Sequence, residues 1–179
     1  MLIVFENIGF TPKAHFVHYQ SSPTFQSTMT GSEPMSEEIL TRATAYWAAK
    51  RRLSRMPSRH SIDTVDLGAL APHAVISEAI NQGRDYRHQL AGKVAEGLLG
   101  AKLTGAPPPG FSPEHGAMAD WRNGLAVTRM FRAPHFAAFA ANDGEGYIRA
   151  VYLPVSRQEM GETADFVLSV LVREADDAA

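Results

Sequence analysis

The sequence contains no cysteine, which excludes a disulfide scaffold, a zinc–thiolate site, an iron–sulfur cluster and a cysteine nucleophile. It also lacks any apolar run approaching the ~20 residues that span a bilayer. Neither sign of charge dominates, because 17 basic residues face 19 acidic ones and the net charge is -2. That balance favours neither nucleic acid nor an anionic membrane as a partner. Together these absences favour a cytoplasmic protein with no membrane contact.

Recognisable catalytic and cofactor motifs are missing as well. The sequence has no glycine-rich phosphate loop and no H-E-x-x-H metal signature. The seven histidines include His15 and His18, but prolines on either side disfavour the helix that a metal would need. Any histidine could be a haem ligand. The ordinary interpretation is a surface or hydrogen-bonded side chain, and we expect His73 to fix backbone. We therefore predict no metal site and name no cofactor.

What is present is an ordinary globular composition. The 179 residues are 45% apolar and 20% charged, which suits one domain with a tail. Residues 1–35 are rich in Ser, Thr, Pro, Gln and Gly without apolar periodicity, and we predict a disordered tail there. Residues 1–5 are too short an apolar run for a signal peptide, and Met29 and Met35 offer alternative starts. Residues 175–179 form a short acidic tail.

A helix is predicted over residues 36–55, ahead of the domain at 56–174. Ser36 suits an N-cap, and Glu37 and Glu38 complement the helix dipole in the first turn. Apolar residues recur at helical spacing as far as Leu53, and basic residues follow towards the carboxyl end. Pro57 then closes the helix.

The remaining periodicity predicts an α+β domain. A short gap joins the first two strands into an antiparallel hairpin, and an Asn-Asp-Gly-Glu-Gly turn does the same for the third and fourth. A serine–proline–glutamate start at Ser112 opens the longer helix. The predicted elements are strands 74–80 and 85–90, helices 93–100 and 112–130, and strands 132–141, 147–155 and 163–173. We expect one five-stranded antiparallel sheet with helices on one face.

Short sequence pieces then indicate a family. They are Tyr46-Trp47, Met56-Pro57-Ser58-Arg59, Ile62-Asp63, Asp66-Leu67, Pro72-His73, Asp85-Tyr86-Arg87, Leu90-Ala91-Gly92, Gly100, Leu103-Thr104-Gly105 and Leu153-Pro154. In this order and spacing, residues 40–173 resemble the PAS-like domain family common in alphaproteobacteria. The resemblance implies the PAS fold and a sensory or signalling role, and it carries over no ligand or catalytic residue. The sequence departs from the family pattern at Ser61, Thr64, His88 and Gln89.

A PAS-like arrangement places the middle helices across the concave sheet face. The predicted pocket residues are Tyr86, His88, Leu98, Leu99, Met118, Trp121, Leu125, Phe139 and Tyr152, with Val170 facing them. Such an apolar wall with a few polar groups, here Tyr86, His88 and Trp121, is typical of small-ligand sites. The alternative is a closed core filled by the same side chains.

The same resemblance suggests how copies of the chain meet, because a flanking amino-terminal helix often forms the dimer contact in PAS domains. The predicted contact residues are Ile39, Leu40, Ala43, Tyr46 and Trp47. Our leading hypothesis is a non-catalytic sensor that binds a small ligand, a protein partner or both, as a homodimer. The alternatives are a structural adaptor with a filled pocket and a small α+β enzyme. Asp63 and Asp66 are interpreted as turn and cap residues because no partner completes a catalytic pair.

Overall fold

The computed structural model describes residues 33–105 and 116–174. In chain order the helices and strands are α1 (Glu33–Arg51), β1 (Ala74–Ile80), β2 (Asp85–Ala91), α2 (Lys93–Leu99), α3 (Ala117–Phe131), β3 (His135–Ala140), β4 (Tyr147–Val155) and β5 (Phe166–Glu174). Short 3-10 turns lie at Arg59–Ser61, Gly68–His73 and Asn81–Gly83. The predicted tail at 175–179 lies outside the described residues, as does 1–32 of the tail predicted at 1–35. Within the described ranges, no helix combines the length and apolar character needed to cross a membrane.

The five strands form one antiparallel sheet in the order β2-β1-β5-β4-β3. This confirms the predicted α+β class with a PAS-like five-stranded sheet. The β1–β2 pairing is irregular between Ile76 and Ser77, where β2 carries one extra residue. Ile76 pairs with Leu90 and Ser77 pairs with His88, so Gln89 is the bulged residue.

Helices cover both faces of the sheet. α2 and α3 lie on one face, as expected for the middle helices, and the flanking helix α1 packs on the opposite face over β4 and β5. Alternation along the strands separates two apolar clusters. The cluster under α1 includes Leu40, Ala43, Trp47, Ile76, Val151, Leu153, Val155, Leu168 and Val170. The cluster under α2 and α3 contains the predicted pocket residues.

Both predicted ends of the first helix are wrong by a few residues. The helix begins at Glu33, so Ser36 lies inside it and its hydroxyl donates to the Arg173 carbonyl at 3.1 Å. It ends at Arg51 because Arg52 adopts a left-handed backbone with φ of 51°. The helical spacing predicts Leu53 on the apolar face of α1, but Leu53 lies beyond the helix and is fully exposed.

Three of the predicted dimer-contact residues are used inside the domain. Leu40, Ala43 and Trp47 are buried against the sheet, and the Trp47 indole N–H donates to the Pro154 carbonyl at 2.7 Å. They cannot also contact a second copy unless this core opens. Ile39 and Tyr46 remain partly exposed, so a dimer contact through α1 stays a prediction that rests on these two.

The longer helix also begins later than predicted. α3 starts at Ala117, preceded by Gly116 with φ of 83°, whereas the predicted cap at Ser112 lies outside the described residues. The amide of Ala117 donates to the side-chain oxygen of Asn142 at 2.9 Å. The cap of α3 thus comes from the β3–β4 turn. The Asn142 amide group also donates to the Leu99 carbonyl at 3.3 Å, which ties the end of α2 to the start of α3.

A buried carboxylate lies at the β1–β2 end of the sheet, on the face that α1 covers. The Glu78 side chain is only 5% exposed and accepts from Arg87 at 2.6 Å and from Arg157 at 2.9 Å. Gln89, the bulged residue, donates to it at 3.2 Å. Burial raises the pKa of Glu78, but these hydrogen bonds outweigh burial and the net pKa is lowered.

Candidate functional site

The structure brings the predicted pocket residues together between the sheet and the helices α2 and α3. Eight of the nine belong to one buried cluster: Tyr86, Leu98, Leu99, Met118, Trp121, Leu125, Phe139 and Tyr152. The ninth, His88, is half-buried beside Trp121, with the two ring centroids 5.3 Å apart. Val170 is the exception among the expected wall residues, because it points into the α1 cluster instead.

A glycine sets the distance between α3 and the sheet. Gly124 lies directly over the ring of Tyr152 on β4, and a Cβ at this position would come within 2.2 Å of the ring carbon Cζ. Only a residue without a side chain allows α3 to approach this closely. The same turn of the helix is fixed by Thr128, whose hydroxyl donates to the Gly124 carbonyl at 2.8 Å.

A chain of polar side chains runs through this apolar cluster. The hydroxyl of Ser77 on β1 lies 3.0 Å from Nδ1 of His88 on β2. The imidazole stacks at a tilt on Trp121, whose indole N–H donates to the hydroxyl of Ser169 on β5 at 3.0 Å. Ser77 and Ser169 are fully buried, so the chain links three strands to α3 beneath the surface.

The imidazole of His88 is neutral at pH 7 in this setting. Burial lowers the pKa of His88 from 6.5 to about 4, and the positive charge of Arg122 on α3 lowers it further in the same direction. A neutral imidazole has one donor and one acceptor nitrogen. Ser77 engages Nδ1.

Two buried tyrosine hydroxyls lack partners within the described residues. These are the hydroxyls of Tyr86 on β2 and Tyr152 on β4. Burial raises the pKa of both phenols, and in Tyr86 the nearby Arg129 guanidinium opposes that rise. A buried hydroxyl without a partner costs about 1–3 kcal/mol, so such groups in a native protein call for an explanation.

The complete sheet with its helices is consistent with a PAS fold, and one comparison supports that independently. Residues 35–115 match the PAS domain family model. The match runs from α1 through β1, β2 and α2, and therefore includes Tyr86 and His88. No curated protein matches the chain. PAS domains are typically sensory modules without catalytic activity, so a sensory or signalling role is the general expectation for this region.

The linked polar side chains of this site do not include a pair with the geometry needed for catalysis. Ser77 and His88 form a serine–histidine contact, but the Ser77 hydroxyl is fully buried in the middle of β1. A nucleophile must reach its substrate. The arrangement instead presents hydrogen-bonding groups along an apolar wall.

Sequence reasoning missed several polar residues of the site. Ser77 and Ser169 each interrupt an apolar strand, and that interruption was a readable signal. Arg122 and Arg129 lie seven residues apart on α3 and reach the β2 side of the site; their helical spacing was the only hint.

Two interpretations of polar residues outside this site hold in the structure. His73 fixes backbone, since its Nδ1 bonds the Leu171 carbonyl at 2.9 Å. Asp63 is a turn residue that accepts from the Val65 amide at 2.8 Å. Asp66, interpreted as a cap residue, instead accepts from Lys50 at 2.7 Å.

Proposed function

We propose that the chain is a non-catalytic, cytoplasmic PAS-type sensory protein that binds a small ligand between α3 and the β2 side of the sheet. The observation that carries this proposal is the unsatisfied hydrogen-bonding capacity inside an apolar cluster. The hydroxyls of Tyr86 and Tyr152 are buried and have no partner among the described residues. A ligand that supplied those partners would remove the cost of leaving the groups unpaired.

The make-up of the cluster supports a small molecule rather than a solvated cleft. Its walls are leucine, methionine and aromatic side chains, and its polar groups are few and converge from β1, β2, β5 and α3. Small-ligand sites usually combine an apolar lining with a few polar groups that fix orientation.

The sheet offers a direct route from this site to the rest of the molecule. On β5, Ser169 faces the site while its neighbours Leu168 and Val170 pack under α1. A ligand that shifts β5 therefore acts on the packing of α1 as well. α1 also contacts β4, the neighbour of β5 in the sheet, through the Glu37–Arg149 ion pair at 2.7 Å. We propose that the signal leaves through this side, to a protein partner or to a second copy of the chain.

The two alternative functions make different demands on the site. A structural adaptor needs only a filled cluster, and the complete burial of Trp121, Leu125 and Tyr152 suits that interpretation equally well. An enzyme needs an accessible reacting group, which the buried Ser77 hydroxyl is not. Ligand binding therefore separates the sensor from the adaptor.

The test is a thermal-shift screen of the purified chain against hydrophobic metabolites, haem and cyclic dinucleotides. A ligand at about 100 times its Kd stabilises the fold by about 2.7 kcal/mol. We expect at least one such hit, lost or weakened in His88→Gln and retained in His60→Gln, because His60 is exposed and away from the cluster. A flat screen would overturn the sensor proposal and leave the adaptor.

A further inference from the structure

Two arginines of α3 lie beside the site with little to neutralise them. Arg122 and Arg129 are spaced seven residues apart, two helical turns, and both face β2. The side chain of Arg122 is only 17% exposed, and the nearest carboxylate oxygen, on Asp85, is 4.0 Å away. The other oxygen of Asp85 already accepts from Asn81 at 2.9 Å.

The positive charge of Arg129 is neutralised even less than that of Arg122. Among the described residues, no carboxylate lies within 4.0 Å of its guanidinium. Its Nε donates to the Ala164 carbonyl at 3.2 Å, and its terminal nitrogens lie over Gly83, where a Cβ would come within 1.6 Å of Nη1. The glycine therefore leaves room for a cation at this place. A guanidinium has five donors, and the Ala164 carbonyl engages one of them.

The hydroxyl of Tyr86 is the third group at this place. Tyr86 is 4% exposed on β2, its hydroxyl has no partner among the described residues, and both arginines influence its pKa. The phenol oxygen can accept only one or two of the guanidinium hydrogens that face it, so the donors of these three groups outnumber their acceptors. Planar guanidinium groups and hydroxyls together are the usual recognition set for carboxylate and phosphate oxygens.

We propose that the ligand of this site carries an anionic group, a carboxylate or a phosphate, that is held by Arg122 and Arg129 with the Tyr86 hydroxyl as a further donor. The apolar remainder of the ligand extends into the cluster towards Trp121 and His88. The neutral state of His88 fits this orientation, because an imidazolium would compete with the arginines for the anion. This inference rests on the proposed small-ligand function and specifies its ligand class.

The experiment compares four probes that share one apolar chain: octanoate, octyl phosphate, 1-octanol and octylamine. Isothermal titration calorimetry measures their Kd with the full chain at low salt. We expect octanoate or octyl phosphate to bind roughly tenfold or more tightly than 1-octanol, and octylamine to bind most weakly, because charge-assisted hydrogen bonds to guanidinium are the strong ones. The better of the two anions identifies the head group.

Variants locate the head group. Arg122→Gln should weaken the anionic probe by roughly tenfold or more and leave 1-octanol unchanged. Arg129→Gln should weaken the anionic probe to a similar extent. If loss of the Arg129–Ala164 contact unfolds that variant, Arg122→Gln alone provides the test. Arg42→Gln, an exposed arginine on α1, removes the same charge and should change nothing.

The outcomes separate this inference from the function on which it rests. Binding of 1-octanol as tight as that of both anions, with no effect of Arg122→Gln, would overturn the anionic ligand and leave the apolar site standing. An equal loss in Arg42→Gln would show a general charge effect and would also overturn it. No binding by any of the four probes would contradict the ligand site itself.

Discussion

Acid should destabilise this fold through His88. Because burial lowers the pKa of His88 to about 4 in the folded chain, the unfolded chain takes up a proton first as the pH falls below about 6.5. The contribution of His88 to the free energy of unfolding is therefore fully present above that pH. It is lost as the pH falls from about 6.5 towards about 4. Between about pH 7.5 and about pH 5, this single group lowers the free energy of unfolding by roughly 2 kcal/mol.

The pH range is chosen to isolate histidine. The pKa of Glu78 is lowered in the fold, so the stability that this carboxylate contributes is present above about pH 4.5 and is lost only below it. His135 contributes with the same sign as His88, because burial lowers its pKa too. A separate His135→Gln variant measures that smaller share.

The assay is urea unfolding followed by tryptophan fluorescence at several pH values across this range. His88→Gln should remove most of this difference of roughly 2 kcal/mol. His60→Gln, the same change at an exposed histidine, should keep the wild-type pH dependence. If His88→Gln loses as much stability on acidification as the wild type, the burial of a neutral imidazole at this site is refuted.

Two further pairs of variants test the packing with matched controls. Gly124→Ala should destabilise the fold by about 1–3 kcal/mol because its methyl group would meet the Tyr152 ring. Gly97→Ala on the open surface of α2 should stabilise the fold by about 0.5–1 kcal/mol. Thermal melts measure both changes, and the same sign for the two would contradict the close approach of α3 to the sheet. Glu78→Gln should cost about 1–3 kcal/mol in urea unfolding because it removes the charge from a buried, doubly paired carboxylate. Glu38→Gln at an exposed helix pair should cost at most about 0.5 kcal/mol, and equal costs for the two glutamates would count against the buried network.

The local signals predicted two strands at their observed ends, whereas β3 and β5 begin three residues later than predicted. β1 and β4 begin and end where the sequence placed them, because turn residues bound each run and the hairpin turns fix the pairing. The predicted helix ends are wrong because one depends on a backbone conformation and the other on a residue far along the chain. Arg52 ends α1 through its backbone conformation, and α3 takes its cap from Asn142, which is 25 residues away along the chain. A cap from so far along the chain leaves no local pattern.

The residues of the candidate site were predictable from the sequence. Which face of the sheet each β5 residue takes was only partly predictable. The run from Phe166 to Val172 is almost continuously apolar, and such a run does not show which side each residue takes. The prediction that Val170 faces α2 and α3 is consequently wrong. Ser169 was the available signal, since its neighbours two positions away, Val167 and Leu171, share its face in the structure.

The apolar stripe of α1 posed a similar problem. Leu40, Ala43 and Trp47 form a stripe that would serve equally well to cover a sheet or to meet a partner. Burial of all three against the chain's own strands was decided by tertiary packing, which a helical pattern alone does not encode.

The two tryptophans provide the most direct test of the ligand site, because one lies on each face of the sheet. The indole N–H of Trp121 donates to Ser169 within the site, and that of Trp47 donates to Pro154 under α1. In a 15N NMR titration with octanoate and with 1-octanol, we predict that the Trp121 indole resonance shifts with saturation while the Trp47 resonance moves far less. A titration in which Trp121 does not respond to either probe, or in which both indoles shift alike, would contradict a ligand site between α3 and the sheet.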